Sequence, residues 1–188
     1  EALRLGAAGH PVEVVPTFLG AHTVSTERCS GRARYVDEIV SEMIPEISGR
    51  KLAVYADAFV DAHAFTPAEA RRVLEAAAAS GLGVRLHADQ LADDGSALLA
   101  AELGAVSADH LEHVSDAGIE ALARAGTAAV LLPAATFFLM SRALPPARRL
   151  IDAGVPVVIA TDFNPGTSPS EAMGTVLELA CLTLSLSI

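Results

Sequence analysis

Basic residues are scarce in this chain: Lys and Arg total 13 against 23 Asp and Glu, a formal net charge of −10. A partner that binds through a phosphate backbone needs clustered cations, and no Lys/Arg cluster or basic–aromatic interleaving offsets the deficit. Nucleic acid is excluded as a partner on that ground. Cysteine is nearly absent as well. Cys29 and Cys181 stand far apart and form no C-x-x-C pair, which predicts a reducing, cytoplasmic setting with no disulfide framework. Long apolar runs are missing too. The best candidate, AAVLLPAATFFLM from Ala128, is too short to span a bilayer and carries Pro133, so no membrane partner is expected. No basic segment precedes an apolar run near the start, so no signal peptide is read. The chain opens in EALRLGAAGHP, which reads as the tail of a helix, and stops in LELACLTLSLSI, apparently inside another. Both ends are expected to be cut.

What is present is apolar: 52% of the 188 residues, with only 19% charged. That is enough for one substantial core, and more apolar than an ordinary soluble surface requires. Short β-branched or Leu-rich runs recur with helical patterns between them. The predicted strands are VEVVPTF (12–18), KLAVYAD (51–57), GVRLHA (83–88), AVSADH (105–110), TAAVLLP (127–133) and VPVVIATD (155–162). Several are apolar on both faces, as parallel strands covered by helices require. Helix starts are marked by TPAE, where Thr66 caps, Pro67 follows and Glu69 closes a capping box, and by a second such device, SPSE from Ser168. Stops are predicted at Gly81, Gly126 and Gly154. This alternation, without a Gly-rich dinucleotide fingerprint, predicts an α/β fold: a (β/α) barrel with about six of its eight strand–helix units, forming one incomplete domain over 1–188.

In such barrels the residues at the C-terminal ends of strands face the active site. There stand His22 after the first run, His87 closing GVRLH, His110 closing AVSADH and Asp162 closing VPVVIATD. Imidazole and carboxylate are the donors a catalytic zinc takes, and a bound ion brings the pKa of water to about 7. Each residue also has a plainer reading: a lone strand-end histidine is commonly a satisfied polar group. Asp162 equally fits a turn cap, with Pro165 and Gly166 at the centre of a type II turn. The coincidence of His, His and Asp at one end of the barrel favours a site. His10, His63 and His113 lack that support and are read as surface or helix-adjacent. The turn itself offers an anion the Asn164 amide, the Gly166 N–H and the Thr167 hydroxyl, together with a helix expected to start near Pro169.

These segments, PTFLGAH (16–22), LHADQL (86–91), ELGAVSADHLEH (102–113), AVLLPAATFF (129–138) and ATDFNPGTSP (160–169), resemble the imidazolonepropionase family of the amidohydrolase superfamily. The resemblance implies a hydrolase of histidine degradation that opens the ring of 4-imidazolone-5-propanoate to N-formimidoyl-L-glutamate, using one zinc or iron ion. It implies His87 and Asp162 as metal ligands, with Asp162 also shuttling the proton. His110 would orient the attacked carbonyl or the hydroxide. His22 and Gln90 would contact the ring, and Asn164, Gly166 and Thr167 the substrate or product. Gln90 argues against a deaminase, whose glutamate at this place exchanges protons as a glutamine cannot. Family precedent points to a homodimer, which no residue pattern here shows.

The chain also departs from the family. It contains no H-x-H pair, and it is expected to lack the first strands, a small β-sandwich domain and the last helices. Barrel strands three to eight, inactive or nearly so alone, are therefore the expectation. Two alternatives remain open at this stage: another amidohydrolase acting on a different cyclic amide, and a non-catalytic barrel fragment.

Overall fold

A computed structural model describes Gly9, residues 11–24 and residues 31–187. Cys29, His10 and the first eight residues of the expected N-terminal helix lie outside the described residues. The chain divides into two compact units, Glu1–Arg85 and Leu86–Ile188.

The first unit contains β1 (Thr17–Ala21), α1 (Arg32–Glu38), a π-helical stretch (Ile39–Met43), α2 (Ile44–Gly49), β2 (Tyr55–Phe59) and α3 (Pro67–Ala79). Strands β1 and β2 pair in parallel, Thr17 opposite Tyr55, with an irregularity between Phe18 and Ala21. The first strand starts five residues later than its apolar run predicts. Pro11 and Pro16 lack the N–H a ladder requires, and Val12 and Val15 are exposed. Helix α3 forms as its sequence predicts. Thr66 Oγ1 accepts the Glu69 N–H, Glu69 Oε2 accepts the Thr66 N–H at 2.9 Å, and Pro67 takes the first turn. Its buried face is Ala70, Val73, Leu74 and Ala77, the spacing of one helical stripe. Gly81, at φ 84°, supplies the left-handed residue that ends it.

Strand β3 (Gly83–Ala88) begins in the first unit and ends in the second. Val84, Leu86 and Ala88 are buried, so Arg85 and His87 share the opposite face. The second unit continues with α4 (Ser96–Glu102), β4 (Ser107–His110), α5 (Asp116–Ala125), β5 (Ala128–Leu131), α6 (Pro133–Phe138), α7 (Ala147–Asp152), β6 (Val157–Ile159) and α8 (Met173–Leu184). The pairings β4–β5 and β5–β6 are parallel, and the strand order throughout is that of the chain. All four residues of β4 are buried, as a strand covered on both faces requires. Strand–helix–strand repetition in chain order is the barrel rhythm, and all six predicted strands form.

Three local expectations are corrected. The last strand stops at Ile159, so Asp162 sits three residues beyond it, at φ 50°, rather than closing it. The SPSE segment does not cap a helix: α8 starts at Met173 behind Ala172. Ser168 is committed elsewhere, its hydroxyl donating to Thr161 O at 2.6 Å and its backbone bridging Asn164. Nor is NPGT a type II turn, because Gly166 does not take the positive φ that turn demands. Among the described residues, no helix is long and apolar enough to cross a membrane.

Candidate active site

In the second unit the site grows from the end of β4. His110 and Leu111 both adopt positive φ, 80° and 69°. Two successive non-glycine residues in that region cost on the order of 1–3 kcal/mol each, and such strain concentrates at functional places. The bend is held by Leu111 N donating to Ala88 O and His113 N donating to Asp89 O, at 3.1 and 2.8 Å. It keeps His110 and Glu112 both buried while His113 turns out to solvent. The imidazoles of His110 and His87 lie 5.1 Å apart, tilted by 54°.

Glu112 is the feature sequence reasoning missed. Its Oε1 stands 4.0 Å from His110 Nδ1 and accepts the Thr136 hydroxyl at 2.7 Å. Burial raises its pKa, the Thr136 hydrogen bond opposes this, and the negative charge of Asp162 raises it further. Asp162 therefore acts electrostatically on the same neighbourhood. The signal in the sequence was the carboxylate in DHLEH, two residues after His110. The double left-handed bend that buries it has no signature there.

Gln90 is half-buried in the loop after β3. That loop is fixed by Asp89, which accepts hydrogen bonds from the N–H groups of Asp94, Ser96 and Ala97 and from the Ser96 hydroxyl. Burial pushes the Asp89 carboxyl up to about 6, although the bonds from Ser96 and Ala97 pull the other way.

Asn164, Gly166 and Thr167 come together, but as a closed turn. Asn164 Oδ1 accepts the N–H of Gly166 at 2.9 Å and of Thr167 at 2.8 Å. Asn164 Nδ2 donates to Asp162 O at 2.6 Å and to Thr167 Oγ1 at 2.9 Å. These donors serve one another, and an anion would have to exchange with them. The side-chain-closed Asx form replaces the expected glycine turn.

In the first unit His22 follows β1 directly and is half-buried, its Nε2 3.7 Å from Asp57 Oδ1. Asp57 is buried within β2, a second residue not singled out from sequence. Tyr35 in α1 donates its hydroxyl to Gly20 O at 2.9 Å, tying that helix to the strand that carries His22.

No protein-family model matches the chain. Curated proteins do. The imidazolonepropionase of Symbiobacterium thermophilum is 50% identical over 187 residues, covering 99% of this chain. That of Rubrobacter xylanophilus is 53% identical over 186 residues, and that of Geobacillus kaustophilus 52% over 178. The chain is homologous to the imidazolonepropionases. It spans 42–44% of the length of these relatives. The aligned stretch takes in the positions from His22 to Thr167. Solved structures agree on the fold. A guanine deaminase from C. acetobutylicum superposes with a TM-score of 0.69 at 15% identity, covering 96% of this chain and 46% of its own. A zinc-bound adenosine deaminase from Xanthomonas campestris gives 0.68 at 20% identity, covering 91% and 41%. The fold class is α/β, a partial (β/α)8 barrel, as the sequence predicts.

Proposed function

We propose that this chain carries part of the active site of an imidazolonepropionase, which hydrolyses 4-imidazolone-5-propanoate to N-formimidoyl-L-glutamate. The observation that carries the reading is about 50% identity to curated imidazolonepropionases along nearly the whole chain. In the reaction, water adds across the amide of the ring. The C–N bond breaks, the carbonyl carbon keeps the oxygen as a carboxylate, and the nitrogen takes a proton.

Imidazole and carboxylate donors in the second unit fit a zinc or iron ion, and His87 and Asp162 would hold it. When bound, such an ion would polarise the carbonyl and lower the pKa of water. The rest is the work of side chains. Asp162 takes a proton at its carboxylate and returns it to the leaving nitrogen. His110, fixed in the buried bend, orients the reacting group. His22 and Gln90 hold the ring, while Asn164, Gly166 and Thr167 receive the propanoate. A glutamine at 90 binds the ring and moves no proton, in keeping with ring hydrolysis rather than deamination. The substrate is a small molecule, and the acidic surface favours no polyanion.

The test is a chimera. This chain replaces the matching stretch of the Rubrobacter xylanophilus relative, and turnover is measured on imidazolone propanoate, hydantoin and dihydropyrimidine. The reading expects imidazolone propanoate to be favoured by at least 100-fold in kcat/KM, with activity lost on Asp162→Ala. A folded chimera that prefers hydantoin, or turns over none of the three, contradicts it.

A further inference from the structure

We infer that Asp89 is a positioning residue that sets Gln90 and His110 relative to each other. The two side chains stand on different strand-end loops, and Asp89 is bonded to both loops. It is buried, follows β3 directly and takes the left-handed backbone, at φ 47°. A non-glycine residue stays in that region only where its surroundings fix it. Here its own carboxylate does so. Oδ1 accepts the Asp94 N–H at 3.3 Å, the Ser96 N–H at 3.1 Å and the Ser96 hydroxyl at 2.9 Å, while Oδ2 accepts the Ala97 N–H at 3.2 Å. Ser96 Oγ in turn accepts the Asp89 N–H at 2.8 Å, so the pair is reciprocal. Between these anchors Leu91, Ala92 and Asp93 are exposed and Gln90 is half-buried. A segment with so little burial of its own keeps one conformation through its anchors.

The second loop is reached through the backbone. The Asp89 carbonyl accepts the His113 N–H at 2.8 Å, and the carbonyl of its neighbour Ala88 accepts the Leu111 N–H at 3.1 Å. These bonds hold the bend in which His110 and Leu111 take φ 80° and 69°. With a planar peptide, the backbone dihedrals of a residue decide where its carbonyl points. The carboxylate that pins Asp89 at φ 47° therefore also aims its carbonyl at His113. Loss of the carboxylate should loosen both loops, although only one of them contains its partners. That Gln90 and His110 face the substrate rests on the imidazolonepropionase reading; the coupling of their loops does not.

The measurement is residue-by-residue amide hydrogen exchange of the 188-residue chain at pH 7. Asp89→Gly removes the carboxylate while leaving the left-handed backbone easy to adopt, and Asp89→Asn keeps Oδ1. Asp89→Gly should speed exchange at Ser96 and Ala97, and equally at Leu111 and His113, by at least tenfold relative to the amides of Leu150 and Val155, which bond elsewhere. Asp89→Asn should stay within threefold of the wild type. A folded Asp89→Gly with unchanged protection at Leu111 and His113 overturns the inference, and so does an Asp89→Asn that exchanges as fast as Asp89→Gly. Should Asp89→Gly fail to fold, Ser96→Ala carries the test. It removes the hydroxyl that bonds Asp89 at both N–H and carboxylate and should speed His113 exchange at least threefold; no change there overturns the inference equally.

The positioning role has a kinetic signature in the active chimera. Asp89→Gly should raise KM for imidazolone propanoate at least tenfold and lower kcat as well. With Gln90 already replaced by alanine, the same change should raise KM less than threefold, because Asp89 acts on binding through Gln90. Equal KM effects in the two backgrounds overturn the positioning role. A chimera that is inactive before any change at 89 counts against the hydrolase reading alone, and the exchange pattern still decides whether the two loops are coupled.

Discussion

Arg32 grips Glu69 with two hydrogen bonds, Nε to Oε1 and Nη2 to Oε2, both 2.7 Å long. The same guanidinium reaches Ala64 O and lies 5.4 Å from the centre of the Phe65 ring. Glu69 also closes the capping box of α3, so one carboxylate joins the start of α1 to the start of α3.

The acid limit of the first unit follows from this pair. The Arg32 hydrogen bond, more than the cap, lowers the Glu69 pKa from 4.5 to about 2. A depressed carboxylate contributes stability that is present above its unfolded pKa and lost as pH falls through the folded one. The contribution therefore disappears between about pH 4.5 and 2. Both partners are partly exposed, and solvent screening keeps the effect near 1 kcal/mol. Glu69→Gln retains the reciprocal cap but cannot titrate. Urea unfolding at pH 7 and pH 2.5 should show a smaller loss on acidification for this variant than for the wild type.

Asp89 works in the opposite sense. Its folded pKa, about 6, lies above the 3.8 of an ordinary aspartate. Its contribution is fully present below pH 3.8 and is lost as pH rises through 6. Ionising it should cost on the order of 2 kcal/mol by pH 7. Asp89→Asn is expected to flatten the pH dependence of the urea midpoint between pH 4 and 7, whatever its absolute stability. Asp89→Ala removes the acceptor for three backbone N–H groups and a hydroxyl and should cost about 2–3 kcal/mol at pH 4, and less at pH 7, where the wild-type carboxylate is itself unfavourable.

The Asn164 turn separates stability from binding. A Cβ at Gly166 would meet only Asn164 Oδ1, at 3.3 Å, and the residue needs no left-handed backbone. Gly166→Ala should stay within about 0.5 kcal/mol of the wild-type stability, as surface substitutions do. In the active chimera the same change should raise KM for imidazolone propanoate several-fold with kcat little altered. An unchanged KM would remove Gly166 from the substrate-binding set. Asn164→Ala, by contrast, breaks the turn and should lower both stability and turnover.

How much of this was legible beforehand varies by element. The TPAE cap, the stop glycines and the six strands could be read because each depends on neighbours in the sequence. His22 and His110 fell at strand ends as expected, because apolar runs locate those ends. The turn after β6 was misread, because Asn164 closes it with its side chain where a Pro-Gly pair implies glycine geometry. Glu112 and Asp57 went unremarked for another reason. Their burial is decided by tertiary packing and, at Glu112, by a strained bend that no local pattern encodes.

The claim that His87 and Asp162 hold a metal ion is tested most directly by elemental analysis. The purified chain is equilibrated with zinc or iron, desalted and compared with the double variant His87→Ala, Asp162→Ala. The account predicts close to one equivalent on the chain and none on the variant. Equal metal content in the two, whether one equivalent or none, would contradict it.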